Sequence, residues 1–121
     1  MHLNKYLTTL MLICSSTLSI AQTHATHRVQ QFHNDKVNVW KTIIYPSQKH
    51  AVSMHRHEYD RVVVALTDGT LKVTNDKGKA HYLHLKKGQA YYLHKDIPHE
   101  LHSDENISKH PIEVMVVELK H

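Results

Sequence analysis

Two histidines one residue apart put two metal-binding or proton-carrying groups on the same side of an extended chain. His55 and His57 form such a pair in SMHRHEYDRVVVALTDG, residues 53 to 69. In a strand, side chains at i and i+2 share a face, so both imidazoles address one volume. Neutral imidazole is a ligand for zinc, nickel, copper and iron, and a second strand with another histidine would complete one face of an ion. The alternative for the same pair is a set of polar side chains hydrogen-bonded to one another inside a β structure. The next ionisable residue in phase is Arg61. A guanidinium is always protonated and never ligates a metal, so its chemistry is the pairing of an anion.

These residues must be held by strands. Lys36 to Tyr45 (KVNVWKTIIY) is rich in β-branched and aromatic residues and ends at Pro46. Arg61 to Leu66, Leu71 to Thr74, Ala80 to Leu85 and Ala90 to His94 follow, each closed by a turn: Thr67-Asp68-Gly69, Asn75 to Gly78, Lys86-Lys87-Gly88, and Lys95 to Pro98. A short strand is expected at His99 to Ser103, a polar loop at Asp104 to His110, and a last strand at Ile112 to Leu119. Short strands with turn signals about every 8 to 12 residues indicate an all-β sandwich or barrel. Nowhere does an apolar period of 3.6 residues persist for three turns, so helix is nearly absent. Val62 to Leu66 is apolar on both faces, which predicts one face toward the barrel and the other covered by a second sheet or subunit. A homodimer is expected on that ground.

The chain has 121 residues, enough for one domain. Its start reads as an export signal. A weakly basic Met1 to Lys5 precedes an uncharged stretch, Tyr6 to Ile20, and Ser19-Ile20-Ala21 offers small residues for cleavage. That stretch is shorter than the ~20 apolar residues that span a bilayer. The expected division is therefore a signal peptide at 1–21, a flexible lead-in at 22–28 and a β-barrel domain at 29–121. The mature protein would be periplasmic or secreted, with no membrane span after cleavage. Cys14, the one cysteine, would leave with the signal. The formal net charge of +4 is mild and scattered, which excludes a nucleic-acid surface; the unusual entry in the composition is 14 histidines.

The stretch HRHEYDRVVVALTDG resembles the first motif of the cupin family, His-x-His followed by a glutamate and then a glycine turn. GQAYYLHKDIPHELHS, residues 88 to 103, resembles the second, a glycine-opened strand, a turn and a single histidine. The resemblance covers nearly the whole chain after residue 21. It implies an all-β fold, a single double-stranded β-helix barrel of mostly antiparallel strands. It also implies three metal-binding histidines, which carry over onto His55, His57 and His99. Four positions depart from the family pattern: His94 stands for proline, Asp96 for glycine, Ser103 for asparagine and Arg61 for the glutamate ligand.

Arg61 is the informative departure. About 5 Å from a dication, at an effective dielectric of about 20, its repulsion would be on the order of 6 kcal/mol. Three arrangements avoid that cost. Arg61 can turn to the barrel mouth and pair with an anionic ligand beside a three-histidine metal. A β-bulge can bring Asp60 inward as the replacement carboxylate ligand. Or Arg61 can replace the metal, leaving a metal-free anion pocket. The expected cofactor is a divalent transition metal (Fe, Zn, Ni, Mn or Cu). The expected partner is a small, anionic organic compound, either transformed by a metal-dependent oxygenase, lyase or isomerase or simply bound. For His81, His84, His94 and His102 the default is a surface role, with His94 and His102 nearest the second motif.

Overall fold

Polar side chains at the turns divide the chain into strands. The Asn34 side-chain oxygen accepts from the backbone N–H groups of Lys36 and Val37 at 2.8 and 2.9 Å and closes the first hairpin. Asn75 does the same for Lys77 and Lys79, at 3.0 and 2.8 Å, with Gly78 at φ 81° supplying the left-handed turn residue. The computed structural model describes residues 25–121, and the expected signal segment at 1–21 lies outside them. Nine strands result: β1 (His27–His33), β2 (Val37–Ile44), β3 (Val52–His55), β4 (Arg61–Ala65), β5 (Gly69–Asn75), β6 (Ala80–Leu85), β7 (Ala90–Leu93), β8 (His102–Asn106) and β9 (Ile112–Leu119). The one helical element described is a single 3-10 turn at Gln48–His50. Among the described residues no helix is long and apolar enough to cross a membrane.

The strands form two antiparallel sheets, β1-β2-β9-β4-β7 and β3-β8-β5-β6. Between them lies the core: Trp40 and Ile44 from β2, Val63 and Ala65 from β4, Leu71 and Leu85 from the second sheet, and Ile112, Val114 and Val116 from β9. Alternation is clean in β4 and β9. Arg61, Val63 and Ala65 are buried while Val62 and Val64 are half-exposed on the outer face. Gly69 starts β5 so close to β9 that a Cβ there would collide with the Ile112 side chain.

Three strands were hard to see in the sequence. β1 occupies His27–His33, so its first two residues fall in the stretch read as lead-in; every residue of it is exposed, and it is held by pairing with β2. β3 is four residues long and its pairing with β8 is interrupted between Val52 and His55. β8 starts at His102, not His99, and runs through Asp104 to Asn106, into the segment expected to be loop. It pairs with β5 from Asn75↔His102 to Leu71↔Asn106. HSDEN carries no apolar alternation because its inward side chains are all polar.

Candidate metal centre

β3 and β8 are paired at His55↔His102, so these two imidazoles start from facing positions on one side of the second sheet. His57 lies two residues beyond β3, where the chain leaves for β4. Its backbone is clamped there by Asp96: the His57 N–H donates to Asp96 Oδ2 at 2.6 Å, and the Asp96 N–H donates to the His57 carbonyl at 2.9 Å. The three rings gather with centroids 4.4 Å (His55–His102), 4.9 Å (His55–His57) and 5.4 Å (His57–His102) apart. One ligating atom from each lies within 4.8 Å of the other two.

The hydrogen bonds on the far side of the rings decide which nitrogens are free. His55 Nδ1 lies 2.6 Å from the Ser53 carbonyl, which can only accept, so Nδ1 carries a proton and Nε2 is the nitrogen turned toward the other two rings. His102 Nδ1 lies 3.2 Å from the Asp96 carboxylate, which fixes the same tautomer. His55 Nε2 and His57 Nε2 are 3.1 Å apart. Burial, reinforced by Arg61 and the neighbouring imidazoles, pushes His57 down from its ordinary value of 6.5 to about 3. Burial also lowers His102, against the pull of Asp104 and Asp96. His57 and His102 are thus neutral at physiological pH, the form that ligates a metal. A neutral, imidazole-rich donor set with carboxylates behind or beside it fits a borderline transition ion.

The cluster lies on the wall of a cavity of about 620 Å³ inside the barrel, bounded mainly by apolar core side chains such as Trp40, Val63, Leu71 and Val116. Arg61 reaches the same cavity from β4. It is only 8% exposed, and its Nη1 donates to the His94 carbonyl at 3.2 Å. No carboxylate of the described residues forms an ion pair with it. Burial lowers the affinity of the guanidinium for its proton while Asp96 and Asp104 oppose that shift, and an arginine stays charged regardless. A buried cation without an ion-pair partner is costly and marks where an anion would be held. Arg28 stands at the cavity as well, its guanidinium 4.4 Å from the centre of the Trp40 ring.

The structure brings His55, His57 and Arg61 together and leaves two of the expected residues elsewhere. His99 is exposed, in a turn closed by the Glu100 N–H donating to the Ile97 carbonyl at 3.1 Å, with φ at 67°. The chain is still crossing between the sheets at that point, and pairing with β3 resumes only at His102. Asp60 faces away from the cluster. Its carboxylate accepts from the Tyr92 hydroxyl at 2.7 Å and from the Lys95 N–H at 2.8 Å, and both bonds hold it below the usual carboxylate range. No bulge turns it inward, because Arg61 takes the inward position that follows. His102 and Asp96 join the site instead. A signal for His102 was present: the asparagine sought at Ser103 stands at Asn106, four residues after His102. For Asp96 the only signal was its occupation of a glycine position.

The architecture is that of a cupin, as the two motifs led one to expect: two antiparallel sheets closed into a double-stranded β-helix. A cupin domain from Bordetella pertussis superposes with a TM-score of 0.68 at 24% identity, over 80% of this chain and 95% of that one. An RmlC-like cupin with a double-stranded β-helix fold from Methanocaldococcus jannaschii gives 0.60 at 14% identity, over 84% and 85%. Among curated proteins, the chain is 39% identical over 66 residues to the beta-alanine degradation protein BauB of Pseudomonas aeruginosa. That match covers 54% of this chain and 65% of BauB, just under two thirds of its length. No protein-family model matches the chain.

Proposed function

We propose that this protein is a metal-dependent cupin that takes a small organic acid into its barrel, with a divalent transition ion on His55, His57 and His102 and the acid's carboxylate on Arg61. The observation that carries the reading is the convergence of three imidazoles on the wall of a cavity that also holds a buried guanidinium with no ion pair. The resident ion would supply Lewis-acid coordination of the bound acid. The chain's own residues do the rest. Arg61 fixes the carboxylate and so orients the acid toward the histidines. The apolar walls exclude water, which strengthens that pairing. Asp96 keeps the His102 ring in the tautomer that presents Nε2. An imidazole-rich site suits iron, zinc, nickel or copper better than manganese.

The similarity to BauB supports a small carboxylate as ligand, since β-alanine is one. The chemistry on the acid is of the oxygenase, lyase or isomerase kind. The uncharged stretch Tyr6 to Ile20 supports export to the periplasm or beyond, and the half-exposed Val62, Val64 and Val117 on the outer face of the larger sheet support a homodimer.

The test is the metal content of untagged protein purified without chelator, beside His102→Ala and His99→Ala. The expected result is about one equivalent of one transition metal in the wild type and in His99→Ala, and its loss in His102→Ala. Mixed, substoichiometric metal that His102→Ala leaves unchanged overturns the metal centre and leaves Arg61 as the heart of a metal-free anion pocket.

A further inference from the structure

Arg28 on β1 stands opposite Thr42 on β2, and facing residues of an antiparallel pair put their side chains on one face. Thr42 lines the cavity and so does Arg28, at its mouth, since β1 is exposed along its whole length. The Arg28 guanidinium lies 4.4 Å from the centre of the Trp40 ring, itself buried in the cavity wall. A cation held over an aromatic face is anchored there and keeps its charge. Arg61 enters the same cavity from β4 and is buried, and Lys79, from the turn between β5 and β6, adds a third cation to the lining. None of the three forms an ion pair among the described residues.

The carboxylates on the wall, Asp96 and Asp104, are directed at the histidines instead. Asp96 accepts from the His57 N–H at 2.6 Å and lies 3.2 Å from His102 Nδ1, and Asp104 lies 3.5 Å from His55 Nε2. The cavity therefore holds more positive than negative charge before any ion is bound, and a divalent ion would widen the excess. A single carboxylate on Arg61 would leave Arg28 unanswered. Arg28 is also close enough for its charge to act on His57, so it belongs to the electrostatic field of the site.

We infer that the cavity selects a dicarboxylate, one carboxylate paired with the buried Arg61 and the other with Arg28 at the mouth, the carbon chain lying along the apolar wall. The inference rests on the small-acid reading above and narrows it. Each guanidinium offers a fork of N–H donors that matches a carboxylate, whereas Lys79 adds only a point charge to the field. Arg28 then acts as the specificity-determining residue. It rewards an acid whose far end is anionic and repels one whose far end is an ammonium, as in β-alanine.

The experiment is calorimetric titration of the protein purified without chelator, at constant low ionic strength. The probes are straight-chain dicarboxylates from malonate to adipate, each beside the monocarboxylate of the same carbon number, together with β-alanine. In the wild type at least one diacid is expected to bind about fivefold or more tighter than its monoacid, and β-alanine no tighter than propionate. Arg28→Gln, on an exposed strand, should fold normally and bring that diacid down to the affinity of its monoacid. Arg28→Lys, which keeps the charge, should restore part of the preference. Monoacids that bind as tightly as every diacid, or β-alanine as the tightest of the series, overturn the selection and leave the Arg61 site standing. A preference unchanged in Arg28→Gln, or as fully lost in Arg28→Lys as in Arg28→Gln, overturns the pairing with Arg28. No binding of any acid, or undiminished binding in Arg61→Gln, overturns the small-acid reading and this inference with it.

Discussion

β8 and β9 are neighbours in sequence, one in each sheet, and they build the barrel's interior from opposite materials. β9 turns Ile112, Val114 and Val116 inward, all buried and all apolar. β8 sends in His102, Asp104 and Asn106, all polar, with the first and last buried. A strand like β9 holds because apolar area leaves water. A strand like β8 holds only if every inward group finds a partner. Asn106 does so completely: its Nδ2 donates to the carbonyls of Ile44 and His110, and its Oδ1 accepts from the Ser108 N–H. His102 is satisfied on one side by Asp96 and left with a lone pair on the other. The contrast teaches where the protein is built for stability and where it is built for a ligand.

The comparison can be broken most severely on the apolar strand. Ile112→Ala removes a side chain with no solvent exposure, beneath Gly69, and is expected to cost about 2–5 kcal/mol in denaturant unfolding. The surviving folded protein should keep its metal content, because no ligand comes from β9. Asn106→Leu comes next. It keeps the volume but strands two carbonyls and an N–H, for a loss of about 1–3 kcal/mol in the same measurement. A change near zero would mean that water or backbone shifts can replace this side chain, and that the polar strand is less tightly specified than its hydrogen bonds suggest.

A pH series sharpens the contrast from the other side. His57 has a folded value of about 3 against an ordinary 6.5, so between those values the unfolded chain binds the proton and the folded chain does not. The metal-free protein should therefore keep its full His57 contribution above pH 6.5 and lose it progressively as pH falls toward 3. Unfolding curves with chelator present should show this slope in the wild type and in Ile112→Ala, the latter shifted down throughout. His57→Gln should flatten it. An unchanged slope in His57→Gln would place the acid sensitivity elsewhere.

Most of the fold was legible because it rests on local signals. β2, β4, β6, β7 and β9 carry β-branched and aromatic runs, and their turns are marked by Asn, Asp and Gly. The strands that were missed or misplaced are those without such patterns. β1 is exposed at every residue and is a strand only because β2 pairs with it. β8 has a polar interior face, so it reads as loop until β5 and β3 stand on either side of it. The site divides in the same way. His55 and His57 declare themselves by their spacing, and Arg61 by its phase with them.

The third histidine depended on where the chain resumes pairing after the turn at Ile97–Glu100, which register with β3 and β5 decides and local sequence does not. That is why His99, at the family's spacing, lies in solvent, and His102 faces His55. The sequence by itself determined an all-β barrel with two histidines and an arginine aimed at one volume, because alternation along a strand is a property of the chain alone. Only the tertiary structure decided that His102 and Asp96 belong with them. Their places are set by hydrogen bonds and pairings to residues some 40 to 50 positions away, which no local pattern encodes.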